Sequence, residues 1–390
     1  KSLDDKYEFN EEKLKNCRGI KYKFVKQSEI PRGEKWTLLL FENRAYYELE
    51  RLVNEGKLRK LGEWFEPSYG NTVYLCLASW GIIKGTPNYG AKEFFEFNEK
   101  EKIEGKPTSK GSIKVPEDCL FPAVLDSLNV KSFIFTKQDW EKLRSKGKNV
   151  YLFVCHKPVD DTIRNYVEWG EKECKNREGK ACNEADSAKA RRKEKDVFYG
   201  WYDLGGVIPG IVMIKRQPQY QPQFTIINTP VATYDALIVL VPKINISFET
   251  YNINAKDLLK IIYDINLKIE KREKIINELS IKVSDIALSS EELKALVAYL
   301  NSTLVWNWLE FTSGGTSGGA LRLEIDKVRN IPLLDVKALR KEDIDELSKL
   351  LDELDEITRM NQDRKIPDLL ELTKPIRQKI DKKIIDILGL

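Results

Sequence analysis

The sequence is poor in the side chains that most often hold metal ions. It contains one histidine, His156, and six cysteines, with no Cys-x-x-Cys pair. Only Cys174 and Cys182 are near neighbours, and they lie in a charged stretch. Structural zinc sites use closely spaced cysteine and histidine ligands. The spacing therefore predicts no metal site, free thiols rather than disulfides, and a structural or surface role for His156.

Long apolar runs are also missing. No run approaches the roughly 20 residues needed to span a bilayer. The start, KSLDDKYEFN, has neither the apolar core nor the cleavage site of a signal peptide. We therefore expect a cytoplasmic protein with no membrane partner. The chain does not begin with Met, which suggests that residue 1 is not the natural start.

The phosphate-binding motifs of nucleotide enzymes are absent. The sequence has no G-x-x-x-x-G-K-[ST] and no G-x-G-x-x-G after a strand pattern. Carboxylates are abundant, but they occur in lysine-alternating stretches such as KEDIDELSKLLDELDE, which is typical of a solvated helix face rather than an acid/base pair. We therefore assign no catalytic residue.

The composition indicates an ordinary globular protein. Its 390 residues are 42% apolar and 32% charged, and this length favours two or three structural units. The net charge of +4 is a small difference between 65 basic and 61 acidic residues. Local patches of charge are therefore more informative than the total.

Hydrophobic periodicity predicts an α+β fold in three parts. Residues 1–61 form an N-terminal helical or linker segment, whose helix is expected to end near Leu61. Residues 62–255 form a β-rich domain, with strand patterns such as NVYLFVC and ALIVLVP. Residues 256–390 form a helical region, in which apolar residues recur at spacings of three and four.

The helical region is interrupted by a glycine-rich stretch, SGGTSGGALRLEI, after an apolar helix pattern that ends in WLEF. Glycines can adopt positive φ or allow another backbone to approach closely. Exposed N–H groups and hydroxyls there could bind a phosphate. A flexible surface loop is the alternative. The candidate binding residues are Gly314, Gly315, Thr316, Ser317, Gly318, Gly319 and, just beyond, Arg322.

Two further stretches combine basic, amide and aromatic side chains that can meet phosphates or base edges. The first, WGIIKGTPNYGAK, contains Lys84, Asn88, Tyr89 and Lys92, and a solvated hairpin is its alternative interpretation. The second, KRQPQYQPQ, is equally compatible with a structural loop. Its candidate residues are Lys215, Arg216, Tyr220 and Gln223.

Four degenerate motifs occur in order over about residues 60 to 390. The first approximates G-I-x-T-G-x-N-x-F-F, with Lys84 in place of Thr and a few residues inserted before the phenylalanines, and is carried by Gly81, Ile82, Gly85, Asn88, Phe94 and Phe95. The second is carried by Tyr166, Gly170, Glu171, Arg192, Trp201 and Tyr202. The third is carried by Leu300, Asn301, Ser302, the glycines, Ala320, Leu321, Arg322 and Pro332. The fourth is the chain end, IRQKIDKKIIDILGL. Together, these motifs resemble the target-recognition region of TaqI-like adenine-N6 DNA methyltransferases.

The resemblance implies a module that binds double-stranded DNA and selects the sequence to be methylated, as in the type IIG proteins that fuse restriction and modification. Methylation in this family needs an [Asn/Asp/Ser]-Pro-Pro-aromatic loop that holds the flipped adenine. No two prolines are adjacent in this chain, and no glycine-rich S-adenosylmethionine loop is present. The catalytic domain, with its S-adenosylmethionine, would therefore precede Lys1 or be a separate subunit.

Two alternatives remain open at this point. A type I specificity subunit should show the motif set twice, whereas each motif occurs once here. The chain could also be a complete S-adenosylmethionine-dependent enzyme of unrecognised type, which binding of that cofactor by the isolated chain would favour.

Overall fold

The computed structural model describes residues 44–70, 82–84, 94–98, 102–103, 106–107, 112–146, 148–172, 181–184, 188–189, 193, 198–204, 207, 210–234, 236–248, 252–255, 257, 286–315 and 319–390. The helices are α1 Arg44–Asn54, α2 Leu61–Trp64, α3 Lys137–Ser145, α4 Arg164–Lys172, α5 Ser290–Leu300, α6 Thr303–Thr312, α7 Ile325–Arg329, α8 Lys341–Met360 and α9 Ile366–Leu388. Short 3₁₀ turns occur at Glu117–Cys119, Ser127–Asn129, Cys182–Glu184 and Val336–Ala338.

The strands confirm the predicted α+β class. They are β1 Leu58–Lys60, β2 Phe65–Tyr69, β3 Ile82–Lys84, β4 Phe94–Asn98, β5 Lys102–Ile103, β6 Lys106–Pro107, β7 Ser112–Pro116, β8 Leu120–Val124, β9 Ile134–Thr136, β10 Asn149–Phe153, β11 Val212–Lys215, β12 Phe224–Asn228, β13 Ala232–Thr233, β14 Leu237–Pro242, β15 Asn245–Ser247, β16 Asn252–Ile253, β17 Ala287–Leu288, β18 Gly314–Gly315, β19 Leu321–Arg322 and β20 Pro332–Leu334. None of the helices in this described part of the chain is both long and apolar enough to cross a membrane.

A five-stranded sheet separates the two hydrophobic cores. Its strand order is β2-β14-β11-β12-β9, antiparallel except for the β12–β9 pair. Along β14, Leu237, Val239 and Val241 belong to the first core, and Ile238 and Leu240 belong to the second. Both faces of the sheet are therefore buried, which explains why ALIVLVP reads as a continuous apolar run.

The second core joins segments that are far apart in sequence. Helices α5, α8 and α9 pack against one face of the five-stranded sheet, through side chains such as Leu296, Leu351 and Ile380. Helix α1 contributes Leu49 and Leu52 to the same core. Strand β1 pairs antiparallel with β20. Side chains on both sides of the predicted boundary at residue 255 thus share one core.

The first core contains Tyr166, Trp201 and Tyr202 of the second sequence motif, whereas Arg192 of that motif lies outside the described residues. Tyr166 and Trp201 are buried and stack with an interplanar angle of 16°. Trp201 Nε1 donates to Glu171 Oε1 at 3.2 Å, and the Tyr202 hydroxyl donates to the Lys157 carbonyl at 2.6 Å. A Cβ at Gly170 would lie 2.0 Å from Trp201 Cη2, so only glycine fits there. These contacts hold helix α4 against the turn that contains Trp201 and Tyr202.

Helix α1 ends earlier than the periodicity predicts. It stops at Asn54 instead of near Leu61, because Gly56 takes a φ of +72°. The Gly56 N–H donates to the Val53 carbonyl, and the Lys57 N–H donates to the Leu52 carbonyl, at 3.0 and 2.9 Å. These two bonds form a Schellman C-cap. Residues 258–285, where a long helix is predicted, lie outside the described residues.

One cysteine prediction was wrong. Cys119, beside β8, and Cys155, just after β10, form a disulfide across neighbouring strands of the first core. The two residues are 36 positions apart in sequence. Sequence spacing carried no signal for this pair, since β8 and β10 become neighbours only through sheet pairing.

Candidate nucleic-acid interface

The glycine-rich stretch forms a small hairpin. Strand β18 pairs antiparallel with β19, with Gly314 opposite Arg322 and Gly315 opposite Leu321. Helix α6 ends without a glycine cap, because Ser313 has an extended backbone and its N–H donates to the Leu309 carbonyl at 2.8 Å. Residues Thr316, Ser317 and Gly318 lie outside the described residues.

The described hairpin glycines have open space around them. No heavy atom of the described residues lies within 4 Å of a Cβ built at Gly314, Gly315 or Gly319. Gly319 alone among these three has a positive φ, +77°. Another molecule can therefore approach the backbone of Gly314 and Gly315 closely. Only Gly319 needs glycine for its own backbone conformation.

The hairpin is hydrogen-bonded to the KRQPQYQPQ segment. The Leu321 N–H donates to the Pro218 carbonyl at 3.0 Å, and the Leu323 N–H donates to the Arg216 carbonyl at 2.9 Å. Two of the three predicted candidate regions, separated by about a hundred positions in sequence, therefore form one continuous surface.

A network of charged and aromatic groups lies at this junction. The Arg216 guanidinium sits over the Tyr69 ring, 4.3 Å from its centroid. The Tyr69 hydroxyl donates to Glu324 Oε2 at 2.8 Å, and Arg322 Nε lies 2.6 Å from Glu324 Oε1. Arg216 Nε is buried and has no hydrogen-bond partner among the described residues.

Glu324 is held ionised by this network. The hydrogen bond from Tyr69 is the main cause that lowers the pKa of the Glu324 carboxyl, and Arg322 and Arg216 lower it further. One carboxylate thus faces two guanidinium groups, which leaves the junction net positive. The Arg322 side chain remains 55% exposed while it braces the turn after β19. It can therefore still reach a phosphate.

A cavity of about 270 Å³ lies beside the same segment. Its walls come mainly from residues 127–133, from the KRQPQYQPQ segment (residues 215–223, the Gln-rich segment) and from helix α9. The predicted residues Lys215, Tyr220 and Gln223 all line it. Burial lowers the pKa of the Lys215 ammonium, Asp126 opposes this shift, and Lys131 adds to it.

Arg377 closes the cavity at its buried end. Its side chain donates to the Asn301 carbonyl at 3.1 Å and to Thr373 Oγ1 at 3.4 Å, and it packs over the Phe133 ring. Burial lowers the pKa of Arg377 to about 10, although the Asp381 carboxylate acts in the opposite direction. Arg377 and Asp381 are the arginine and aspartate of the fourth sequence motif.

Asn301, from the third motif, fixes the Gln-rich segment to the helices. Its Oδ1 accepts from the Phe224 N–H at 3.0 Å, and its Nδ2 donates to the Phe224 and Val297 carbonyls, each at 2.9 Å. Gln221 Nε2 also donates to the Asn301 carbonyl, at 3.4 Å. Asn301 of the third motif is therefore hydrogen-bonded to Arg377 of the fourth, and together they hold the Gln-rich segment and helix α9 in place around the cavity.

The remaining predicted residues are distributed as follows. Lys84 ends β3, an edge strand of the four-stranded sheet β13-β8-β10-β3, opposite Asn149. It therefore lies in a different sheet from Lys215. Asn88, Tyr89 and Lys92 are outside the described residues. Gln223 has an internal role, because its Nε2 donates to the Lys131 and Ser132 carbonyls at 3.0 and 2.7 Å.

Among the cavity residues that sequence reasoning missed are Lys131, Phe133 and Arg377. The fourth motif contains Arg377 and so offered a signal for it. Lys131 and Phe133 lie in an unremarkable stretch, and only the pairing of β9 with β12 brings them to the cavity.

Comparison with known proteins gives a sequence relative and distant structural similarities. No protein-family model matches the chain. Over 92 residues, 24% of this chain and 15% of the relative, it is 32% identical to the type II methyltransferase M.AccI of Acinetobacter calcoaceticus. The crystal structure of the type IIG restriction endonuclease BpuSI aligns with 88% of this chain and 33% of its own, at 12% identity and a TM-score of 0.31.

The chain therefore spans a small part of either protein, about a seventh of the first and a third of the second. The sequence similarity relates one segment of this chain to a type II methyltransferase and links the chain to restriction-modification proteins.

Proposed function

We propose that this chain is the DNA-recognition region of an adenine-N6 DNA methyltransferase from a restriction-modification system, of the TaqI-like or type IIG kind. It would bind double-stranded DNA and present the target adenine to a catalytic domain in the same polypeptide or in a partner subunit. That domain would hold the S-adenosylmethionine, and this chain would hold no cofactor. The order of the four motifs and the similarity to a type II methyltransferase support this proposal.

The observation that carries the proposal is the joining of the glycine hairpin to the KRQPQYQPQ segment. The bonds from Leu321 and Leu323 place the exposed Arg322 beside a segment with two exposed glutamines, Gln217 and Gln219. Arginine neutralises phosphates, and glutamine pairs with the edge of adenine in the major groove. The open glycine backbone allows a DNA strand to approach within hydrogen-bond distance of main-chain N–H groups.

The proposed DNA contacts have two roles. Arg322 and Lys215 would contact phosphates and supply affinity without sequence information. Gln217 and Gln219 would meet base edges and supply selectivity. The Arg216 guanidinium, stacked on Tyr69, would position the segment from within, because its Nε is buried.

Selection from a random library tests the proposal. The full chain is incubated at low salt with duplexes that carry a randomised centre, and bound duplexes are recovered and sequenced. We expect one short sequence to be enriched, and we expect Gln219→Ala to relax the preference at a defined position of it. A bound pool with the same composition as the input library would reject a recognition role.

A further inference from the structure

The charged side chains on the cavity walls all have the same sign. Among the described residues that line it, Lys131, Lys215 and Arg377 carry charge, and no aspartate or glutamate is present. Asp126 and Asp381 act on these cations from outside the lining. Asp126 accepts from the Leu128 N–H, and Asp381 accepts from the Thr303 N–H, both at 2.8 Å.

Among the described residues, none of these cations forms a direct ion pair, and the Asp126 and Asp381 carboxylates act on Lys215 and Arg377 only at longer range. Arg377 is only 8% exposed, and its hydrogen bonds go to a carbonyl and a hydroxyl. Lys131 Nζ donates to the Gln362 carbonyl. Within the described part of the chain, the Lys215 ammonium forms no hydrogen bond or ion pair. A buried cation is unfavourable without a compensating anion, so the cavity favours a negatively charged ligand.

The rest of the lining favours a ligand with a flat, largely apolar part. Leu128, Val130, Phe133, Leu369 and Leu370 form apolar walls, and the Tyr220 ring lies at the mouth, 40% exposed. The volume of about 270 Å³ is well above what an inorganic anion fills, and it approaches the roughly 300 Å³ of the smallest common ligand pockets. The amides of Gln217 and Gln219 also line the cavity and can bond to ring heteroatoms.

We propose that this cavity binds one nucleotide unit, with its phosphate on Lys215, Lys131 and Arg377 and its base against Phe133 and Tyr220. A free nucleoside monophosphate and a nucleotide swung out of a DNA strand share this chemistry. The site goes beyond recognition of paired DNA, because binding of a free nucleotide does not require the chain to read a duplex.

Calorimetry with the full chain tests the site. The four deoxynucleoside monophosphates, inorganic phosphate and deoxyadenosine are titrated separately. We expect saturable binding of at least one monophosphate, at least tenfold tighter than either phosphate or the nucleoside alone. Lys215→Gln should weaken it at least fivefold, and Lys349→Gln, an exposed lysine on α8 outside the lining, should not change it.

Arg377→Lys gives a second variant that keeps the buried charge but changes its geometry, and circular dichroism checks that it folds. Because the fork of donors on the phosphate is lost, we expect this variant also to bind the monophosphate more weakly.

A duplex with one unpaired nucleotide, compared with the fully paired duplex, identifies where the bound nucleotide comes from. If the bulged duplex competes with the monophosphate, the nucleotide comes from DNA, and if it does not, the site serves a free nucleotide.

The inference is overturned if no monophosphate binds and the bulged duplex binds no more tightly than the paired one. It is also overturned if Lys215→Gln and Lys349→Gln bind the monophosphate equally well. Paired DNA could still bind in either case, so this failure is distinct from failure of the recognition role.

Discussion

Gly170 is the residue whose substitution the structure constrains most tightly. An alanine Cβ there would lie 2.0 Å from Trp201 Cη2 and 2.2 Å from Trp201 Cζ2, in a buried stack. Overpacking of this kind costs about 1–3 kcal/mol, and the better helix propensity of alanine returns at most about 1 kcal/mol. We therefore expect Gly170→Ala to lower the free energy of unfolding, measured by urea denaturation. An unchanged midpoint would mean that Trp201 does not pack on α4.

Asn301 is the residue that ties the Gln-rich segment to the helical part. Alanine at this position would leave the buried N–H and carbonyl of Phe224 without their partners. Each unsatisfied buried group costs about 1–3 kcal/mol, so we expect Asn301→Ala, which leaves two such groups, to destabilise the protein by about 2–6 kcal/mol. Thermal denaturation measures this loss.

Asn361→Ala is the matched control for that experiment. Asn361 is half-buried and its side chain donates one hydrogen bond, to the Ile357 carbonyl, so its loss should cost less than about 1 kcal/mol. Equal effects of the two substitutions would contradict the role given to Asn301.

The glycine hairpin shows which element-scale features local sequence can predict. The run of glycines predicted a loop after an apolar helix, and that helix does end at Thr312. The short β18–β19 pairing and the bonds to residues 216 and 218 carried no sequence signal, because both depend on long-range contacts. Asn301 and Arg377 were visible as motif residues, but the motifs did not reveal the cavity that they support.

Two valine substitutions separate folding from binding in this hairpin. Gly319 has a φ of +77°, so Gly319→Val should lower the melting temperature, at a cost of about 1–2 kcal/mol. The sequence alone allowed a positive φ at Gly315 as well, which valine would not tolerate. The structure corrects this, because Gly315 has no positive φ and has open space around it. Gly315→Val should therefore keep the wild-type melting temperature.

The same Gly315→Val variant tests whether DNA lies against the hairpin backbone. If a strand lies against the hairpin backbone, the added side chain should weaken DNA binding without affecting the fold. A Gly315→Val protein that melts early would show that the hairpin is packed more tightly than the structure indicates.

At the scale of the whole molecule, the five-stranded sheet is the organising feature. Its continuous apolar strands could be predicted, and so could the amphipathic helices that cover one of its faces. Their assembly into one core with α1 and β1 could not, since the pairing of residues 58–60 with residues 332–334 has no local signature. The surface proposed for DNA lies where the Gln-rich segment at the sheet meets the hairpin of the helical part.

The most direct test of DNA recognition is a fluorescence titration of the full chain with duplex DNA at several salt concentrations. We expect binding whose log affinity falls linearly with log salt, by about 0.9 for each phosphate neutralised. Arg322→Gln should weaken binding by about 1 kcal/mol or more and make the slope shallower by about one, whereas Lys349→Gln should change neither. Absence of binding at the lowest salt, or equal slopes for Arg322→Gln and the wild type, would contradict the assignment of this surface to DNA.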